Sequence, residues 1–208
     1  MRVVKEAEQR RNEILDAADA LFGQKGFDGT STNDILEKVG IARGTLYYHF
    51  KSKEDIMDAL IQRYSDRILG AAQQIASDQS IPVVERVIRT ILAMNLSGES
   101  SDVIMDHIHK PQNALMHQKI QKFIFNGVPP ILTGIIREGI AEGMFNTPYP
   151  YECMEMVVIY ANTVFDDDVV AMSNEERMTR IFALVCNIER LLGAETGSLK
   201  EAMKIFER

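Results

Sequence analysis

The stretch TSTNDILEKVGIARGTLYYHFKSKED, residues 30–55, decides the fold. Thr30, Ser31 and Thr32 crowd a helix start, where a hydroxyl accepts an orphan backbone N–H and the helix dipole favours an anion such as a phosphate. Ile35 and Val39 lie four apart on one face of a short helix from about Thr32 to Val39. Gly40 lets the backbone turn tightly, and Ile41, Leu46 and Phe50 give the apolar side of a second short helix from about Arg43 to Phe50. Together they make a helix-turn-helix. The outward side of the second helix carries Arg43, Thr45, Tyr47, Tyr48 and His49, with Gly44 permitting close backbone approach, and these residue types read a DNA groove. Leu46 and Phe50 read as core, and Tyr47 as divided, its ring packed and its hydroxyl reaching outward. The competing readings are a solvated surface arginine for Arg43 and, for His49, a backbone hydrogen bond that holds the helix angle.

Outward from this stretch the chain is helical in its periodicity, with no convincing strand, which predicts an all-α fold. Upstream, Ile14, Leu15, Ala18, Leu21 and Phe22 recur three and four apart on a helix that stops near Gly26. Downstream, a longer helix runs from Lys53 into the seventies, and Pro82 opens another to about Leu96, before the polar SGESS run. Pro111, the Pro129-Pro130 pair and NTPYP at 146–150 punctuate the next helical region. Two long helices are expected at about 151–170 and 175–192, with Gly193 as a stop.

The composition fits one large globular domain or two small ones. The chain has 208 residues, 46% hydrophobic and 25% charged, so it can bury a core. Cys153 and Cys186 cannot make a disulfide framework, the start MRVVKEAEQRR lacks the apolar run of a signal peptide, and apolar stretches such as MVVIYANTV fall short of the roughly 20 residues that cross a bilayer. A cytoplasmic location without membrane insertion is expected. The net charge of −7 argues against indiscriminate DNA coating. Residues 1–63 nevertheless hold 10 Lys/Arg against 11 Asp/Glu, and the remainder 13 against 19, so the acidity is mostly C-terminal. DNA binding must come from a small shaped element in the first quarter.

The pattern ILDAADALFGQKGFDGTST…GIARGTLYYHFKSKEDI, within residues 10–60, resembles the TetR family of bacterial transcriptional repressors. The resemblance implies an N-terminal three-helix helix-turn-helix domain over residues 1–52 and a C-terminal helical ligand-binding and dimerisation domain over 53–208. It implies that Ser31, Thr32, Tyr47, His49 and Lys53 contact phosphates and that Arg43, Gly44, Thr45 and Tyr48 face base edges. Two positions depart from the family pattern. Ala42 stands where a serine often caps the recognition helix, which weakens that helix start, and Leu36 stands where alanine is usual, which loosens the packing between the two helices.

The C-terminal part offers a pocket and an interface. Pro129 and Pro130 remove two backbone donors, so a helix through them is expected to kink and open a cavity. Methionines there, among them Met94, Met105, Met116, Met144, Met154 and Met156, suit varied apolar ligands, although plain core filling is an equal reading. Candidate ligand-lining residues are Met94, Met105, His109, His117, Phe123, Tyr160 and Phe165. His107 and His109 are two apart, and Pro111 precedes His117, so the spacing does not favour a metal; helix-end and surface histidines are the plain reading, and one or two polar groups lining a small-molecule pocket is a reading preferred to the metal. Asp166, Asp167 and Asp168 read as a solvated helix end or a partner for a cationic ligand. Apolar stripes of Met154, Val157, Val158, Ala161 and Phe165, and of Met178, Ile181, Phe182, Val185 and Leu192, are expected to pair two chains in a four-helix interface. The resemblance implies the same homodimer. Buried cysteine behaves as a small hydrophobe, so redox sensing is disfavoured.

No nucleophile motif, phosphate-cradling glycine loop or metal spacing appears, so no enzyme, cofactor or metal is implied. The expectation is a ligand-responsive repressor on a palindromic double-stranded operator, released by a small-molecule effector. Its rival is a DNA-binding module whose C-terminal part docks a protein.

Overall fold

The computed structural model describes residues 2–94, 114–165 and 170–206, and among them every regular element is a helix, an all-α fold. The chain divides into two compact units. One holds residues 2–66 with 114–120, and the other 67–94 with 121–165 and 170–206.

In the first unit, α1 (Arg2–Lys25) buries Ile14, Leu15, Ala18, Leu21 and Phe22, the stripe read from the sequence. It ends where Gly26 takes a positive φ of 78°. Thr30 turns inward from the next helix start: its buried Oγ1 lies 2.7 Å from the Gly26 carbonyl and 3.2 Å from that of Leu21, so it serves the end of α1. Helix α2 (Thr32–Val39) starts on a capping box. The Asp34 N–H donates to Ser31 Oγ at 3.2 Å, and the Ser31 N–H donates to the Asp34 carboxylate at 2.8 Å. It stops at Gly40, whose φ of 72° is the left-handed turn that joins it to α3 (Arg43–His49). Helix α4 (Lys53–Ala76) starts on a similar device, with the Asp55 N–H donating to Ser52 Oγ and the Lys51 N–H to the Asp55 carboxylate.

Ile35 from α2, Leu46 from α3, Phe50 and the α4 residues Ile56, Met57 and Leu60 close over the α1 stripe as one core. Each such side chain contributes about 1.5–3 kcal/mol on burial. Ties between α4 and α1 add direction: Arg63 pairs with Asp16 at 2.6 Å, and Tyr64 donates its hydroxyl to Asp19. Met116, from the first turns of α6 (Ala114–Ala141), joins this core, and Lys119 pairs with Asp58.

The second unit collects the end of α4, α5 (Val83–Met94), the rest of α6, α7 (Pro150–Val164), α8 (Asn174–Leu192) and a 3-10 helix, η1 (Lys200–Phe206). Its core runs from Ala72 and Ala76 through Val83, Leu132, Ile135 and Phe145 to Met154, Val185 and Leu192. Arg86 is buried, donating to Glu138 at 2.7 Å and to the Ala76 carbonyl at 3.3 Å, so a cation closes the negative end of α4. Helix α8 starts on a second capping box, Ser173 with Glu176, and ends at Gly193, φ 62°, as expected. No local signal announced η1. It is held by the buried Glu189 carboxylate, which accepts from the Gly197 and Leu199 N–H groups, both at 2.9 Å.

Several expectations change here. Helix α7 ends at Val164 with Phe165 as its cap, not near 170; three consecutive carboxylates would load the negative end of the helix dipole. Helix α6 runs on through Pro129 and Pro130 without a break, with Pro129 buried and Pro130 exposed. What opens beside Pro130 is a surface cleft of about 290 Å³ that Ala76, Gly134 and Glu138 also line. The apolar stripes also divide differently. Met154, Val158, Ile181, Val185 and Leu192 are buried within their own chain, while the outward apolar face consists of Met156, Ile159, Tyr160, Met178 and Phe182.

Candidate nucleic-acid interface

Helix α3 is set by its buried side. Leu46 and Phe50 anchor it in the core, and this turns the remaining positions outward. Arg43 and Gly44 are exposed, Thr45 and His49 half-buried, Tyr47 48% and Tyr48 78% exposed. So exposed a pair of aromatic side chains is unusual on a small helix whose opposite face is core, and it marks a contact surface. Nothing lies within 4 Å of where a Cβ would stand on Gly44, so the backbone there is open to approach. The Tyr48 and His49 rings meet edge to face, with centroids 4.9 Å apart. No backbone hydrogen bond of the His49 ring is among the described contacts.

Ala42 precedes α3 without a side-chain cap, in keeping with the departure noted in the sequence. The start of α3 is instead tied to α2, where the Arg43 guanidinium donates to Asn33 Oδ1 at 3.0 Å. That bond fixes Arg43 at the exposed mouth between the two helices, and no sequence signal links positions ten apart in this way.

The start of α2 is already electrostatically occupied. Lys25 beside Asp34, together with the Ser31 hydroxyl and N–H, holds that carboxyl far below the usual carboxylate range. Ser31 is therefore engaged with Asp34, while Thr32 and Asn33 keep first-turn N–H groups that helix geometry leaves without an intrahelical acceptor. Lys53 is half-buried. Its Nζ donates to the Phe27 carbonyl at 2.7 Å and lies 4.2 Å from the centre of the Phe27 ring, which leaves two of its three donors uncommitted by that bond. Ser31 thus caps α2, and Thr32, Arg43, Gly44, Thr45, Tyr47, Tyr48, His49 and Lys53 lie within α2, within α3 or at the start of α4.

Of the candidate ligand-lining residues, some lie outside the described residues and the rest divide between the two units. Met105 and His109, with His107 and the run Asp166–Asp168, lie outside the described residues. His117 belongs to the first unit. In the second, Met94 packs against the core, Phe123 is half-buried, and Tyr160 meets Phe165 edge to face at 6.2 Å. Among the methionines, Met116 and Met154 are core, while Met144 and Met156 are exposed. Cys153 is buried and donates to the Leu191 carbonyl at 3.5 Å. No helix among the described residues is long and apolar enough to cross a membrane.

Comparison with known proteins agrees with this geometry. Residues 14–60 match the model of bacterial regulatory proteins of the tetR family, and residues 98–186 match the tetracyclin repressor-like C-terminal domain. One relative, the HTH-type transcriptional repressor KstR2 of Mycolicibacterium smegmatis, is 36% identical over 74 residues, 36% of each chain. The match therefore spans about a third of that relative's length. KstR2 of Rhodococcus jostii is 26% identical over 152 residues, 69% of this chain and 71% of the relative. A TetR-family regulator structure from Syntrophomonas wolfei superposes with a TM-score of 0.63 at 19% identity, covering 92% of this chain and 98% of that one, which is a likeness of fold. The chain belongs to the TetR family of bacterial regulatory proteins.

Proposed function

We propose that the protein is a DNA-binding transcriptional repressor that acts as a homodimer in the cytoplasm and leaves its operator when a small molecule binds. The observation that carries the reading is α3, a helix buried on Leu46 and Phe50 that presents Arg43, Gly44, Thr45, Tyr47 and Tyr48 to solvent. Arg43, Gly44, Thr45 and Tyr48 take the base edges. Ser31, Thr32, Tyr47, His49 and Lys53 take flanking phosphates, which fix register rather than sequence. The names of the two relatives, both transcriptional repressors, support repression.

Dimerisation is supported by Met156, Ile159 and Tyr160 of α7 and Met178 and Phe182 of α8, large apolar side chains left exposed on the last two long helices. Two such pairs form a four-helix interface about a two-fold axis. The two α3 helices must then enter major grooves about one helical turn apart, roughly 34–36 Å, or a multiple of it. An effector held in the C-terminal domain, residues 53–208, favours a spacing that fits neither half-site. A coupling of about 1–3 kcal/mol suffices, and operator DNA weakens effector binding by the same factor.

Selection of duplexes from a random pool by the purified protein tests the reading. An approximately palindromic sequence, with half-sites a whole number of helical turns apart, is expected. Recovery of unrelated sequences, or of single unpaired half-sites, overturns it.

A further inference from the structure

We propose that Arg11 of α1 is an additional phosphate-contacting residue, held ready against the end of the recognition helix; the proposal rests on the DNA-binding reading above. Position 11 precedes Ile14 and Leu15 by three and four residues, so it continues the buried face of α1 by one turn. The pattern calls for an apolar side chain there, and the chain has an exposed arginine. A local break of this kind in an otherwise consistent helix points to function.

The guanidinium is not loose. Its carbon lies 4.9 Å from the centre of the Phe50 ring, and Phe50 is the buried residue that closes α3. A cation over an aromatic face is held by the ring's quadrupole, which restrains a side chain that otherwise samples many rotamers. Phe50 stands between His49 and the exposed Lys51, so Arg11 is fixed beside the C-terminal end of the groove-reading helix.

Nor is its charge spent. The neighbouring Arg10 pairs with Glu13 at 2.6 Å, whereas Arg11 has no carboxylate partner among the described residues. A planar guanidinium with five donors, desolvated on one face by Phe50 and open on the other, suits a phosphate oxygen pair. Arg11 also lies before residue 14, where the family match begins, in the part of α1 that runs on to Arg2.

The test uses the full chain and a duplex carrying the sequence it selects from the random pool, titrated between 50 and 200 mM KCl. Arg11→Met keeps an unbranched chain over Phe50 and removes the charge; Arg11→Lys keeps the charge; Arg11→Gln is a second uncharged variant should methionine disturb folding. The expected result is that Arg11→Lys follows wild type, while the uncharged variants show a log–log salt slope shallower by about 0.9 per bound protomer. Over that fourfold salt range the wild type should then lose about 3.5-fold more affinity per protomer than Arg11→Met. Uncharged variants with the slope and affinity of wild type overturn the proposal. Arg43→Ala in the same titrations shows whether it falls alone or together with the DNA-binding reading.

Discussion

Phe182 and Val185 lie three apart on α8 and read alike in the sequence, yet they should respond oppositely to the same substitution. Phe182 is 61% exposed and Val185 only 4%. In Val185→Asp a carboxylate replaces a methyl pair inside the second unit's core, and an unpaired buried charge costs about 3–5 kcal/mol, comparable with much of a domain's stability. Phe182→Asp leaves the protomer within about 0.5 kcal/mol, as expected for a surface change. In a dimer it removes the part of the ring still open to burial. Taking three-fifths of the roughly 1.5–3 kcal/mol that a buried phenylalanine provides gives about 1–2 kcal/mol per ring, or about 2–4 kcal/mol for the pair. The dimer dissociation constant should therefore rise by roughly 30- to 700-fold, before any repulsion between two carboxylates near the axis is counted. Sedimentation across a micromolar concentration series reads the assembly, and far-UV circular dichroism reads the fold. Phe182→Asp is expected to sediment as a folded monomer, and Val185→Asp to unfold or aggregate. A Phe182→Asp protein with wild-type dimer affinity, or a well-folded monomeric Val185→Asp protein, would refute the assignment of faces.

Three further outcomes follow from the hydrogen-bonding geometry. Glu189→Ala leaves the Gly197 and Leu199 N–H groups without their acceptor, so it should lower stability by about 1–3 kcal/mol and expose 200–206 to limited proteolysis, read by mass spectrometry. Ser31→Ala removes the cap of α2 and should cost about 0.5–2 kcal/mol in a thermal melt, whereas Thr30→Val should cost about 1 kcal/mol through α1 instead. Asp34 has a folded pKa below its unfolded value, so its contribution is present above pH of about 4 and is lost as pH falls through the folded value. Asp34→Asn should accordingly lose less stability than wild type between pH 5 and 2, and equal acid sensitivity would show that the Lys25–Asp34–Ser31 group is not formed in solution.

How much could be read in advance depended on how local each cause is. Ile35, Val39 and Gly40 gave α2 and its turn because an i, i+4 apolar pair and a left-handed glycine act within a few residues. Leu46 and Phe50 gave the inward side of α3, and with it the exposed residues of the candidate site, for the same reason. Adjacent hydroxyls were harder. Thr30 and Ser31 share chemistry, but Thr30 faces the end of α1 and Ser31 the start of α2, a choice made by where the α1 carbonyls lie. On α7 and α8 apolar residues occupy more than one face, so periodicity alone could not tell Val185 from Phe182, and packing against α4–α6 residues decided it. The Arg43–Asn33 bond and the Glu189 anchor of η1 join positions whose spacing carries no pattern.

The central claim is that α3 reads DNA sequence through Arg43, and the most direct measurement compares Arg43→Ala with wild type on the selected operator and on a set of its single-base variants. The bond to Asn33 is exposed, so the substitution should leave the melting temperature nearly unchanged. Affinity for the operator should fall by about 1–3 kcal/mol per protomer, with discrimination flattened at one position in each half-site and preserved at the others. Unchanged affinity together with unchanged preference at every position would contradict the account.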